Sequence, residues 1–543
     1  MTTKRWTQGW RDRIWSDLDQ PWDLIVIGGG ITGAGILREA TRAGLRSLLV
    51  EAHDFASGTS SRSSKLVHGG FRYLKNAQLK TTLRSVRERE RLLREGRGLI
   101  NQLGFLLTSY SGDQFPTWVF GAGLTFYDLL ALRFNHRYYD AQGLQALCPE
   151  LCNQDMIGGY RYFDAQTDDA RLVLRVIKEA VQEGGTALNY ASVVDFCKTR
   201  SGQVCGVILR DLAPRGAGRT IEVQAPVVIN ATGAWVDALR SKVIDQADAL
   251  ASRHLRKLRG SHLVFPAGQL PLTRAVSLFH PADGRPVFAF PWEGVTIVGT
   301  TDVDHTSQSL VEPSIDSAEL EYLMAAVKRA FPSLNLDFDD VQCTFSGIRS
   351  VVDTGKTDPS KESREHVLWD ENGLLSVTGG KLTTFRLTAH DALEKVKTRL
   401  PGRRIFDSRQ RMLDPPPEPV MPPDLDRAAW IRLLGRYGAE APDLVDAGRE
   451  GDLEQIEGTP SLWAELRWAA RAEGAVHLDD LLLRRVRLGL ILPQGGLPWI
   501  DRIRDLVQPE LGWDDHRWQQ EVANYQRLSV NSYSLKGIPM PTP

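Results

Sequence analysis

Cysteine is scarce in this chain, with five in 543 residues, at positions 148, 152, 197, 205 and 343. So odd and sparse a set excludes a disulfide framework and points to a reducing compartment. Cys148 and Cys152 have C-x-x-x-C spacing, but without a second pair or a histidine cluster they read as free thiols. No cysteine set suits an iron–sulfur cluster, and no calcium-loop pattern is present. Neither sign of charge dominates: 66 Lys and Arg against 67 Asp and Glu leave a net charge of −1, which makes no case for nucleic acid. Long apolar runs are missing too. The nearest, Pro116 to Leu132, is broken by Asp128 and falls short of the ~18–20 residues of a membrane span. Its aromatics, with Arg133 and Arg137 beyond, suit a segment lying in a membrane interface, and core burial explains the same residues. Residues 1–20 carry Arg, Asp and Trp but no apolar h-region, so no secretory signal is expected. What remains is an ordinary globular composition, 42% apolar and 24% charged, at a length that implies about two or three domains.

The most informative stretch is Leu24-Ile25-Val26-Ile27-Gly28-Gly29-Gly30-Ile31-Thr32-Gly33. An apolar strand runs into a Gly-x-Gly-x-x-Gly turn, a helical pattern follows to Ala43, and a second strand, Ser47 to Val50, ends in Glu51. In such a βαβ unit Gly28 allows the tight turn, Gly30 lets the backbone approach a pyrophosphate, and Gly33 lets helix and strand pack closely. The helix N-terminus offers N–H groups and a positive dipole end to phosphates. Glu51 stands where an acid binds a ribose 2′-hydroxyl. These residues imply an adenine dinucleotide, FAD or NAD.

Further along, residues 78–95 read as a charged surface helix with Leu79, Leu83, Val86 and Leu93 inward. Ile221 to Val223 and Val227 to Asn230 read as strands, the second followed by Ala231-Thr232-Gly233. Runs at 261–265, 287–292 and 295–299 suggest an antiparallel sheet in a second domain. Another strand, Leu374 to Thr378, leads into Gly379-Gly380-Lys381 and a helix. The proline-rich stretch from Asp414 to Pro423 marks a boundary, and residues 424–530 look helical, with Asp479 to Arg485 opening one helix. The last ten residues are expected to be disordered.

Several separated motifs converge: the βαβ unit, Thr59-Ser60-Ser61-Arg62-Ser63-Ser64-Lys65-Leu66-Val67-His68-Gly69-Gly70-Phe71-Arg72-Tyr73-Leu74, Asn230-Ala231-Thr232-Gly233-Ala234-Trp235, Phe345-Ser346-Gly347-Ile348-Arg349, and Thr378-Gly379-Gly380-Lys381-Leu382-Thr383-Thr384. In this order they resemble the FAD-dependent, quinone-linked glycerol-3-phosphate dehydrogenases. The resemblance covers residues 20–400 and continues through Trp468 to Glu473 and the 479–490 segment. It implies an α/β fold: a Rossmann-type FAD-binding domain of the glutathione-reductase/glycine-oxidase kind, an antiparallel-sheet substrate domain and a C-terminal helical cap. The expected division is 20–75, 150–255 and 340–400 for FAD, 76–149 and 256–339 for substrate, a linker at 401–423, and the cap at 424–543.

By the same resemblance FAD would touch Gly28, Gly30, Ile31, Thr32, Gly33, Glu51, Ala52, Thr59, Ser60, Ser61, Leu66, His68, Gly69, Val194, Ala231, Thr232, Gly233, Trp235, Arg349, Gly380, Lys381, Leu382 and Thr383. The substrate, sn-glycerol 3-phosphate, would meet Arg72, Tyr73, Arg349, Arg364 and Lys381, because a phosphate dianion is best held by guanidinium forks with lysine as a point charge. His68, Arg349 and Lys381 are the catalytic candidates. His68 is either the base for the C2 hydroxyl or a structural histidine of the glycine loop, with Lys381 the rival base. The family passes its electrons to a quinone at the membrane surface, and a homodimer is compatible with the sequence. Alternatives are an oxidase reducing O₂ to peroxide at the same site, an amine or amino-acid oxidase of the superfamily, and a flavin-binding protein without turnover.

Overall fold

A computed structural model describes residues 6–70, 79–113, 115–131, 133–216, 218–244, 254–307, 310–355, 362, 365–402, 405–416 and 420–535. Two sheets and a helical domain organise them. The first sheet has the order 367–371, 374–378, 227–230, 24–27, 47–50, 186–188, and is parallel except at its first strand. Leu24–Ile27, Ser47–Val50 and Val227–Asn230 are buried at every position, as expected for strands covered on both faces. Helices Ile31–Arg42 and Asp169–Gln182 lie against this sheet.

The second sheet has ten strands, antiparallel except where Ala275–Phe279 pairs parallel with Ile100–Tyr110. It takes in Met156–Thr167 and Cys343–Val352, two strands the sequence assigned to the FAD-binding unit. Each of these strands pairs along its length with the second sheet and then leads toward the first.

Two other expectations change. Helix Leu79–Glu95 is not a solvated charged helix: Thr82, Ser85, Glu88 and Arg89 are buried beside Val86 and Leu92. Arg89 pairs with Asp164 at 2.5 Å, and Glu88 takes Arg386 at 2.5 and 2.9 Å, so its inner face is polar but satisfied. The stretch before the prolines is no free linker either. Met412 and Leu413 are fully buried, and Asp414 accepts from Arg38 and Arg42 at 2.6 Å each. Residues 417–419 lie outside the described residues, as does the tail from 536.

The C-terminal domain is helical, and its docking surface is charged. The segment expected to open a helix, Asp480–Arg485, is a buried π-helical turn. Arg484 and Arg485 both donate to Asp54 at 2.6 Å, Arg171 grips Glu473 at 2.5 and 2.8 Å, and Arg436 reaches Asp168 at 3.1 Å. No helix of the described residues is long and apolar enough to cross a membrane. Helix Thr117–Ala131 buries Gly121, Leu124, Tyr127 and Asp128, so core packing explains only part of its composition. Trp118, Leu129 and nearby Phe134 are 70%, 52% and 66% exposed.

Candidate active site

Parallel pairing sets the first half of the site. Strands 47–50, 24–27, 227–230 and 374–378 are neighbours running the same way, so Glu51, Gly28–Gly30, Ala231–Gly233 and Gly379–Lys381 all emerge at one sheet edge. The chain moves from strand 24–27 to 47–50 on one side and joins 227–230 on the other, which makes this edge a topological switch point. Gly28 has φ 113°, and a Cβ there would lie 2.6 Å from the Ala231 carbonyl oxygen. A Cβ on Gly33 would lie 1.9 Å from the Gly28 carbonyl oxygen. At Gly30 it would meet only the Ser60 hydroxyl, at 3.1 Å, so that glycine keeps a space open rather than allowing protein packing. Gly30 provides no side-chain cap and the first helical turn carries no acid, which leaves the dipole end suited to an anion.

Glu51 accepts from Gly29 N at 2.7 Å and from His53 N at 2.8 Å. Burial raises its pKa, and those two N–H donors oppose the rise. Ala52 follows it, and Ala191 N donates to the Glu51 carbonyl at 2.8 Å, which brings the strand carrying Val194 alongside. Ile31 N donates to Ser60 Oγ at 3.0 Å, joining Ile31 and Thr32 to the Thr59–Ser61 turn. The Trp235 ring lies 3.2 Å from where a Cβ on Gly58 would sit, so the Ala231-Thr232-Gly233 turn packs on the same loop.

The second sheet closes on this edge. Thr59 Oγ1 donates to the Ile348 carbonyl at 2.5 Å, one residue before Arg349. Leu66 pairs with Gln166, and beyond it the His68 carbonyl accepts from Thr383 Oγ1 at 3.2 Å, tying His68 to the Lys381-Leu382-Thr383 turn. Gly379 and Gly380 make that turn with φ 73° and 80°. Gly69 N donates to Asp164 at 3.1 Å, and a Cβ on Gly69 would strike the Tyr127 hydroxyl at 2.2 Å. Lys381 Nζ reaches Ser85 Oγ at 3.4 Å. Arg349 stands opposite Leu258 and donates from Nη2 to Asp302 Oδ1 at 2.6 Å and to the Thr301 carbonyl at 3.2 Å. Its side chain is 27% exposed while that of Asp302 is fully buried, so the acid orients a guanidinium that solvent can reach. Arg72, Tyr73 and Arg364 lie outside the described residues.

Comparison with known proteins gives this arrangement its relatives. A model of the FAD dependent oxidoreductases matches residues 23–390, and one of the C-terminal domain of alpha-glycerophosphate oxidase matches 389–518. The aerobic glycerol-3-phosphate dehydrogenase of Bacillus subtilis is 37% identical over 395 residues, 72% of this chain and 69% of its own. That of Staphylococcus haemolyticus is 37% identical over 494 residues, 86% of this chain and 87% of its own. The chain belongs to the FAD-dependent glycerol-3-phosphate dehydrogenase family. The crystal structure of the Bacillus halodurans glycerol-3-phosphate dehydrogenase complexed with FAD superposes with a TM-score of 0.76 at 26% identity, covering 96% of this chain and 98% of that one.

FAD is thus the cofactor, and the residues present fit it: the Gly28–Ala231 cradle, the open space at Gly30 and the uncapped helix end suit a pyrophosphate. For a family member, the sequence reading missed three side chains that adjoin the site. His262, buried and stacked on Phe345 at 4.5 Å, lies 2.9 Å from Ser64 Oγ by its Nε2. Burial, then the charges of Lys65 and Arg349, hold its pKa well below the ordinary imidazole value, so it is neutral. Lys65 is buried on Asp169 at 3.2 Å, and Asp302 sets Arg349. His262 is a polar residue on a buried strand, Lys65 lies inside a motif already read, and Asp302, between strands 295–299 and 303–304, carries no sequence signal at all.

Proposed function

We propose that the chain oxidises sn-glycerol 3-phosphate to dihydroxyacetone phosphate and passes the electrons to a quinone. Bound FAD supplies the hydride acceptor. The observation that carries this reading is Arg349: a guanidinium held by buried Asp302, still reachable from solvent, on a strand tied through Ile348 to the Thr59 loop. With Lys381 it offers two cations for a phosphate dianion, joined in the proposal by Arg72 and Arg364. His68 or Lys381 takes the C2 hydroxyl proton. His68 is favoured because Thr383 ties its backbone carbonyl to the Lys381 turn, and neutral His262 orients Ser64 on the same loop. The exposed Trp118, Leu129 and Phe134, with Arg133 beside them, support peripheral attachment to a membrane surface where quinone is available.

The deciding experiment is anaerobic addition of sn-glycerol 3-phosphate to the yellow holoprotein, followed by flavin absorbance. Bleaching is expected, with recovery on adding a quinone analogue. Flavin that stays oxidised would overturn the substrate assignment, and rapid recovery with oxygen alone, releasing peroxide, would overturn the quinone.

A further inference from the structure

A buried arginine of the C-terminal domain hydrogen-bonds directly to the backbone of the flavin loop. Arg487 follows the π-helical turn Asp480–Arg485 and has left-handed backbone, φ 68°. That conformation is disfavoured for a non-glycine residue, so it marks a position held by its surroundings. Its side chain is 1% exposed. Nη1 donates to the Leu483 carbonyl at 2.8 Å within its own domain, which fixes the fork. Nη2 then crosses the interface and donates to the Ser61 carbonyl at 2.7 Å and to Asp169 Oδ1 at 3.3 Å.

Those two acceptors control the loop expected to face FAD. Asp169 accepts from Ser63 N at 2.9 Å, Ser63 Oγ at 2.8 Å and Lys65 Nζ at 3.2 Å, while Lys65 Nζ also donates to the Ser61 carbonyl at 3.2 Å. Other residues of the same loop make further ties: Ser60 to Ile31 N, Thr59 to Ile348, Ser64 to His262, and Arg62 to Val311 and Glu312 at 2.6 Å each. A shift of Ser61 would therefore move the hydroxyl that meets the glycine turn and the residues leading to His68. Burial, then the Arg487 charge, lowers the Lys65 pKa to about 8 against the pull of Asp169 and Asp168. The cluster thus also depends on Arg487 for its charge balance.

We propose that Arg487 is a positioning residue of the flavin site: through the Ser61 carbonyl and Asp169, the C-terminal domain holds the Thr59–Lys65 loop in the form that binds FAD. The affinity test rests only on the family's cofactor, and the kinetic one on the substrate proposed above, so the two can fail separately.

The test uses the full chain stripped of flavin and titrated with FAD. Arg487→Met is expected to raise the FAD dissociation constant at least tenfold and to alter the visible flavin spectrum, with Arg487→Lys intermediate. Arg467→Met removes a buried pair that lies wholly inside the C-terminal domain, with Asp452 at 2.6 Å, and is expected to leave FAD binding within twofold. Once saturated with FAD, Arg487→Met is expected to lose kcat for sn-glycerol 3-phosphate more than it gains in KM, because the substrate cations are elsewhere. FAD binding by Arg487→Met within twofold of the parent, or equal weakening by Arg467→Met, would overturn the proposal. Hydrogen exchange in the unmutated chain gives a reading that needs no variant to fold, since coupling between two sites is reciprocal. Adding FAD to apoprotein is expected to protect amides of 481–492 more than those of helix Asp515–Leu528. Equal or smaller protection would overturn it.

Discussion

Gly33 lies so close beneath Gly28 that a β-carbon on the first would sit 1.9 Å from the carbonyl oxygen of the second. Gly30, between them, has nothing nearer than the Ser60 hydroxyl at 3.1 Å. The two glycines therefore fail differently. Gly33→Val disrupts helix–strand packing and is expected to give insoluble or unfolded protein. Gly30→Val is expected to fold, with a parent-like circular dichroism spectrum, and to purify colourless. A Gly30→Val protein with a full complement of flavin would remove this turn from the cofactor site.

Arg349→Ala removes a charge-assisted contact of about 1.5–3 kcal/mol. The expected result is a rise in KM for sn-glycerol 3-phosphate of roughly 10–100-fold, with flavin content unchanged. Asp302→Asn is expected to act in the same direction more weakly, since it loosens the guanidinium without removing it. Steady-state kinetics with a soluble dye acceptor checks both, and parent-like KM in Arg349→Ala would take Arg349 out of the substrate site.

Arg171→Met would leave Glu473 buried without its bidentate partner. Such uncompensated burial costs about 3–5 kcal/mol. Calorimetry should show the C-terminal domain melting earlier, and an unchanged profile would show that the docking surface does not depend on this pair.

Acid should loosen the C-terminal domain and its docking through Asp168. Asp168 and Glu465 are fully buried, which alone would raise their pKa values. Arg487, Arg436 and Lys65 around the first, and Arg432 and Arg436 around the second, hold both at about 2. Folded values below unfolded ones mean stabilisation that is complete above about pH 4–5 and drains away as the pH falls toward 2. Melting temperatures measured from pH 7 to pH 3 are expected to hold to about pH 5 and then drop steeply. A flat curve to pH 3 would contradict the role of these pairs.

Replacing Trp118 and Phe134 together by serine removes the two most exposed aromatics of the apolar face. Co-flotation with phosphatidylglycerol-containing vesicles is expected to fall roughly tenfold or more, with dye-linked turnover unchanged. Retained flotation would mean the membrane is met elsewhere.

The nucleotide-binding edge was legible because local signals coincide there: apolar strands, glycines at fixed offsets and a terminal acid all lie within residues 24–51. Helix 79–95 misled because Arg and Glu at every turn look solvated, and only the distant acceptor Asp164 and donor Arg386 make Arg89 and Glu88 interior residues. Strands 156–167 and 343–352 were not readable for a related reason: their partners, at 100–110 and 255–266, lie tens of residues away and no local pattern names them. The prolines after Asp414 likewise hid Met412 and Leu413, whose burial depends on helices far earlier in the chain. Of the candidate site, residues inside motifs were readable. His262, Asp302 and Arg487 were not, because each owes its place to tertiary contact alone.

The sheet that carries the cofactor edge places strand 227–230 between 24–27 and 374–378. A ribosome making this chain releases the first glycine turn hundreds of residues before the Gly379–Lys381 turn that shares its edge. A nascent chain shorter than about 380 residues thus has one wall of the flavin site missing and the Val227–Asn230 strand with an open flank. Flavin capture is consequently expected late in biosynthesis, and products ending before Gly379 are expected to be colourless rather than partly active.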